Sequence, residues 1–252
     1  MRSLIQVGLL GTAFVIGLGV LAQAADTSAQ VTESGATRCI TSDGLPEHAT
    51  GRFPNRGNPH TMRAQSIKVC VPSNPTKGNR AREVQTVGIA ENGVIIRPGT
   101  ADYYDARSPR GHSRNRASGW NLDGMGARQM LGLDAQNAHV DKRGLYHYHG
   151  MPPALDHVDG KTRIGWAADG FEIHYAGDNA RPSWQLKSGT RPSAPGGRYD
   201  GTYNEDFEFV RGSGNLDQCN GGLVDGQYVY FATDAYPFFP RCLYGTKITR
   251  IR

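Results

Sequence analysis

The 252-residue sequence predicts a mainly β fold, β-rich α+β in class: a single domain of short antiparallel strands and hairpins, sandwich- or barrel-like, with long loops and two disulfides. Three observations carry this. Glycine (33) and proline (14) punctuate a chain that is only 38% hydrophobic, a composition that favours short strands and turns over long amphipathic helices. Asn-Gly and Asp-Gly dipeptides sit between apolar runs, the strongest short-range hairpin signal. The 4 cysteines form an even set, as expected of an exported disulfide framework.

In chain order, Arg2 is followed by the apolar run VGLLGTAFVIGLGVLA and then AQA at Ala22 to Ala24. That pattern marks residues 1–24 as a secretory signal peptide. A retained anchor is the competing reading, but about sixteen glycine-rich residues fall short of the roughly twenty a helical span needs. No later segment is apolar enough to cross a bilayer, so the expectation is a secreted or periplasmic protein with no membrane span after signal cleavage. Residues 25–38 are polar and read as a disordered leader. The domain is then residues 39–252.

The stretch ITSDGLPEHATGRFPNRGNPHTMRAQ is too rich in Gly and Pro for any long element. IKVCV, from Ile67, alternates as a strand should. TVGIAENGVIIRPG predicts a hairpin turning at Asn92-Gly93, and RIGWAADGFEIHYA a second at Asp169-Gly170. Between them GARQMLGLDAQ, residues 126–136, is the best helical candidate. Residues 181–201 read as a long surface loop. TYNEDFEFVRG and GQYVYFATDAYPFF predict two further strands.

Spacing favours the disulfides Cys39 with Cys70 and Cys219 with Cys242. Thiolate ligation of a metal and a Cys nucleophile are disfavoured, since neither a CxxC pair nor a Cys beside a His occurs. Net charge is +5, and ARSPRGHSRNRA concentrates Arg107, Arg110, Arg114 and Arg116 around His112. Such a cluster either forms a solvated loop or docks an anion. It lacks the interleaved aromatics that stack bases, so no nucleic acid is expected.

The most informative stretch is NAHVDKRGLYHYHG, Asn137 to Gly150. Asp141 and Gly144 occupy the first and fourth positions of DKRG, as a type I turn prefers, and a left-handed Gly144 completes a three-residue loop of Lys142, Arg143 and Gly144. This register pairs Val140 with Tyr146, His139 with His147 and Asn137 with His149. Directly paired residues share a face, so His139, His147 and His149 crowd one side while Val140, Tyr146 and Tyr148 point to the other. Three neutral imidazoles suit a transition metal ion, copper or zinc. Asn137, Asp141 and Asp169 are candidates to support them, with Asp134 and Asp156 also near in sequence. The alternative is a hydrogen-bonded histidine network without a metal. His48, His60, His112, His157 and His174 carry weaker signals.

LGLDAQNAHVDKRGLYHYHGMP resembles the signature of the YHYH-domain family of exported proteins. GLPEHATGRFPNRGNP, GIAENGV, PGTADYYD, IGWAADGFEI, GTYNEDFEFV, LDQCNGG and YPFFPRCLYG extend the resemblance over about residues 40–245. DGFEIHY departs from the expected form closer to DGFPIYG. The resemblance implies one exported domain and structural relevance for Tyr146 to His149, with the reaction left open. Cys219 and Cys242 fall in resembling segments, which agrees with their pairing.

Two function classes follow. One is an exported three-histidine copper or zinc site used for metal binding or metal-dependent catalysis. The other is a non-enzymatic surface or periplasmic module recognising an anionic or carbohydrate ligand. A serine hydrolase is disfavoured, since no Gly-x-Ser-x-Gly elbow occurs.

Overall fold

The computed structural model describes residues 29–155 and 162–251. The signal peptide expected at residues 1–24, and Asp156 and His157, lie outside the described residues.

The central element is an eight-stranded sheet. Its spatial order is Ala138–Val140, Tyr146–Tyr148, Ile95–Ile96, Gly88–Ala90, Arg163–Ala167, Glu172–Tyr175, Gln227–Ala232 and Gly221–Val224. Three of its hairpins follow local turn chemistry. Gly93, Gly144 and Gly170 all take positive φ (79°, 89° and 95°), which only glycine accepts without strain. Gly93 N–H returns to Ala90, Gly144 N–H to Asp141 and Gly170 N–H to Ala167. Two junctions are parallel: Tyr146–Tyr148 with Ile95–Ile96, and Glu172–Tyr175 with Gln227–Ala232. Parallel neighbours cannot be joined by a tight turn, so these junctions bring together segments distant in sequence. The sheet keeps two free edges, Ala138–Val140 and Gly221–Val224, so the barrel alternative does not hold.

A three-stranded sheet of Gln30–Ser34, Thr37–Ser42 and Ile67–Pro72 packs on one face of the large sheet. Ile40, Val69 and Val71 meet Ile89, Ile95, Leu145 and Trp166 in one buried cluster. Here the expected disordered leader needs correction over its described part. Residues 30–34 form a strand paired in register with residues 37–41. All five residues of that strand are exposed, so backbone pairing to an anchored neighbour, rather than side-chain burial, orders it. The anchor is Cys39–Cys70, a disulfide between directly paired residues. Closing a loop of this length is worth about 3–4 kcal/mol in the chain-entropy account. The second disulfide is Cys219–Cys242, so both expected pairings are present.

The opposite face carries the main core, which includes Ala90, Ile96, Tyr146, Tyr148, Ile173, Tyr230, Phe239 and Leu243. The helix expected over residues 126–136 does not form. Ala127 N–H bonds Asp123 and Leu131 N–H bonds Ala127, but Gly132, at φ 65°, turns the chain away after those turns. Among the described residues the helical elements are short 3₁₀ turns only. Residues 181–201 are more ordered than a surface loop. Trp184–Leu186 pairs with Phe207–Phe209, and buried Arg191 holds Asp206 and Asp200.

Candidate metal centre

The hairpin of residues 137–149 has the register its turn predicts. Val140 pairs with Tyr146, His139 with His147, and Ala138 with Tyr148. His149 N–H donates to Asn137 O at 2.8 Å, extending the ladder by one step. Strand alternation then separates the side chains. Tyr146 and Tyr148 enter the core, while the three histidines meet on the other face with ring centroids 4.6–4.8 Å apart.

One ligand nitrogen from each ring lies within 4.8 Å of the others. His147 and His149 are fully enclosed, at 1% exposure each. Each Nδ1 has a backbone carbonyl as partner: His139 with Leu131 O at 2.9 Å, His147 with Leu145 O at 3.1 Å, His149 with Pro98 O at 3.0 Å. A carbonyl only accepts, so these contacts assign the proton to Nδ1 of His139 and His149. At His147 the Arg97 Nη2 donor, 3.1 Å from Nδ1, competes with Leu145 O, so either tautomer of that ring finds a partner. The Nε2 atoms of His147 and His149 are 3.1 Å apart.

Burial is the main cause that pushes all three imidazoles below the usual histidine range, His147 and His149 the furthest. The Arg97 charge adds to this at His147, and the rings are neutral. Arg97 arrives through the parallel junction, its N–H bonding Tyr148 O at 2.9 Å. Its Nη2 lies 3.1 and 3.0 Å from the two nitrogens of His147. Burial lowers the Arg97 pKa, and Asp141, 3.2 Å away, opposes that shift.

The proposed supporting residues separate. Asp141 reaches the cluster through Arg97 and also accepts from the Arg143 and Leu145 N–H groups of its own turn. Asn137 contributes its backbone carbonyl, while its side chain bonds Met151 O. Asp169 bonds Tyr230 and the N–H groups of Gly245 and Phe171, and none of its partners is a histidine. Its place in the Ala167–Glu172 turn directs it into the core contacts of Tyr230. Asp134 serves the tyrosine face, accepting from Tyr146 OH at 2.7 Å. The ring anchors are thus carbonyls, not carboxylates.

The histidines open into a cleft of about 360 Å³. Asp102 and His112 line it, joined at 3.4 Å, as do His60, Arg110, Arg114, Lys142 and Arg143. The arginine-rich loop and the histidine hairpin therefore share one cavity. His48 instead bonds Tyr148 OH at 2.6 Å on the opposite face, and His174 sits between Thr162 and Glu172. Gly124 is a further requirement without a sequence signal, because a Cβ there would stand 2.3 Å from His149 Nδ1.

A family model described as YHYH protein matches residues 68–245. No curated protein and no solved structure matches the chain. The matched segment contains the histidine hairpin, Arg97, the arginine-rich loop and the Cys219–Cys242 bridge, and it spans well over half of the sequence. The chain belongs to the YHYH protein family.

Proposed function

We propose that His139, His147 and His149 hold one transition metal ion, copper or zinc, with a coordination position left open toward the cleft. The single observation that carries this is the convergence of three imidazoles on one face of the hairpin, one ligand nitrogen of each within 4.8 Å of the others and the Nε2 atoms of His147 and His149 3.1 Å apart. With the proton on Nδ1 of both rings, two lone pairs face each other at that distance and repel. Moving the proton of His149 to Nε2 would set its Nδ1 lone pair against Pro98 O. At His147 the same move sets Nδ1 against Leu145 O, with Arg97 Nη2 3.1 Å away as a compensating donor, and an imidazolium is opposed by burial. Arg97 offers a donor to His147, and the side-chain partner of His149 Nε2 among the described residues is His147 Nε2, so without a cation the pair needs one ring to carry its proton on Nε2.

A shared cation resolves the conflict. Two nitrogens bound tetrahedrally at the usual zinc distance lie about 3.3 Å apart. An all-imidazole set suits copper or zinc rather than magnesium or calcium, which prefer oxygen. When bound, zinc supplies a Lewis acid and an acidified water, and copper supplies a one-electron redox centre. The chain's part is to fix three neutral rings by backbone anchors and to exclude carboxylates from contact with them.

Elemental analysis after reconstitution tests the reading. The protein is expected to retain about one equivalent, and each of His139→Ala, His147→Ala and His149→Ala to lose it, with His174→Ala as the unaffected control. Wild-type content below about a tenth of an equivalent, unchanged by chelation, overturns it in favour of a non-enzymatic module for an anionic or carbohydrate ligand.

We also propose that the protein is exported, with residues 1–24 removed and residues 39–252 acting as one domain. Two disulfides support an oxidising compartment, and no helix of the described residues is long and apolar enough to cross a membrane. N-terminal sequencing of protein recovered outside the cytoplasm checks the cleavage site.

A further inference from the structure

The geometry of the cleft points to a phosphate-type dianion, inorganic phosphate or a small phosphate monoester, as the ligand taken up above the three histidines. Five cationic side chains line one cavity: Arg97, Arg110, Arg114, Lys142 and Arg143. They come from three separate segments, namely the end of the Ile95–Ile96 strand, the arginine-rich loop and the tip of the histidine hairpin. Among the described residues two carboxylates, Asp102 and Asp141, share the lining, and both are engaged. Asp141 holds Arg97 and Arg143, and Asp102 faces His112. Arg110, Arg114 and Lys142 form no ion pair among the described residues.

The cationic excess therefore exceeds what one carboxylate ligand would neutralise. The histidines add no negative charge, so any ion they hold makes the excess larger. A cleft with an excess of positive charge raises the local concentration of a ligand of opposite sign. Guanidinium groups approaching from several directions match the several oxygens of phosphate better than the two coplanar oxygens of a carboxylate.

The rest of the lining narrows the ligand further. Among the described residues it contains no Phe, Tyr or Trp, the rings that most often carry stacked sugars and bases. A cavity near 360 Å³ is at the small end for ligand sites, enough for phosphate with a short organic group. The inference rests on the three-histidine reading for the share of the field an ion supplies, while the arginine share is independent of it.

Calorimetric titration of the full mature chain with inorganic phosphate, metal-loaded and chelated, tests this. Arg110 and Arg114 are exposed, so the R110A/R114A double variant is expected to fold and to keep its metal. We expect saturable phosphate binding that weakens about tenfold in that variant, since two exposed charge contacts are together worth about 1.4 kcal/mol. Acetate at equal concentration is expected not to displace phosphate. Competition by glycerol phosphate assigns a monoester as ligand, and absence of competition assigns inorganic phosphate.

Phosphate binding that depends on Arg110 and Arg114 in a chain that takes up no metal upholds the dianion and ends the metal reading. Full metal uptake with no saturable phosphate binding, with an unaffected double variant, or with equal displacement by acetate overturns the dianion and leaves the metal reading standing.

Discussion

The two faces of the hairpin at residues 137–149 are built from the same strands one residue out of phase, yet they are under opposite constraints. On one face Tyr146 and Tyr148 are completely buried, and each hydroxyl has a partner: Tyr146 donates to Asp134, and Tyr148 meets Asn92 and His48 at 2.9 and 2.6 Å. Every polar group there is satisfied within the protein, as a stable core requires. On the other face His139, His147 and His149 are anchored at Nδ1 and converge on one another, beside Arg97 and a cationic cleft. The hydroxyls are thus paired within the core, while the imidazoles have one another and Arg97 as side-chain neighbours. The difference separates a face that completes the core from the face proposed to bind an ion, inside a single four-residue alternation.

Substitution on the tyrosine face tests that division most severely. Tyr148→Ala is expected to cost about 3–5 kcal/mol in denaturant unfolding, through the cavity left in the core and the loss of partners for Asn92 and His48. A Tyr148→Ala protein of wild-type stability that had lost only metal would reverse the assignment of the faces.

A smaller effect is expected at Gly124, where an added Cβ meets His149 Nδ1 at 2.3 Å. Gly124→Ala is expected to cost about 1–3 kcal/mol by overpacking. The displaced ring should weaken metal affinity about 10–100-fold, as other changes in the support of a metal ligand do. Unchanged affinity with lowered stability would show that His149 is not a ligand.

A graded effect, near zero at about pH 7 and growing below it, is expected from pH. Buried neutral imidazoles have folded-state pKa values below their unfolded ones, so the unfolded chain takes up protons first as pH falls. Stability of the chelated protein should be fully present above about pH 7 and decline as pH drops through about 6.5. The tyrosine hydroxyls, whose pKa values burial raises, contribute nothing over that range. A flat profile in the chelated protein from pH 8 to 5.5, measured by thermal unfolding, would place the histidines in solvent rather than in the protein.

Much of the site was legible because hairpins are local. Asp141 and Gly144 define the turn, the turn defines the register, and the register puts three imidazoles on one side. What could not be read comes from contacts remote in sequence. Arg97 reaches His147 through a parallel junction, which leaves no turn residue to announce it. The anchoring carbonyls of Leu131 and Pro98 have no side-chain signature at all, so carboxylates such as Asp169 looked like better supports than they are. The helix expected over residues 126–136 lost to Gly132, and the expected leader gained a strand from a neighbour held by Cys39–Cys70.

By itself the amino-acid sequence determined the β-rich class, the three glycine hairpins and the separation of tyrosine from histidine, because turn chemistry and the two-residue period of a strand act over a few residues. The disulfide pairing was legible from the spacing of an even set of cysteines. Only the tertiary structure decided that the histidines lie beneath an arginine-rich cleft, that backbone carbonyls orient them, and that the sheet stays open. Those outcomes depend on which distant segments share a parallel edge or a core face, and packing sets that with no local rule in the chain to specify it.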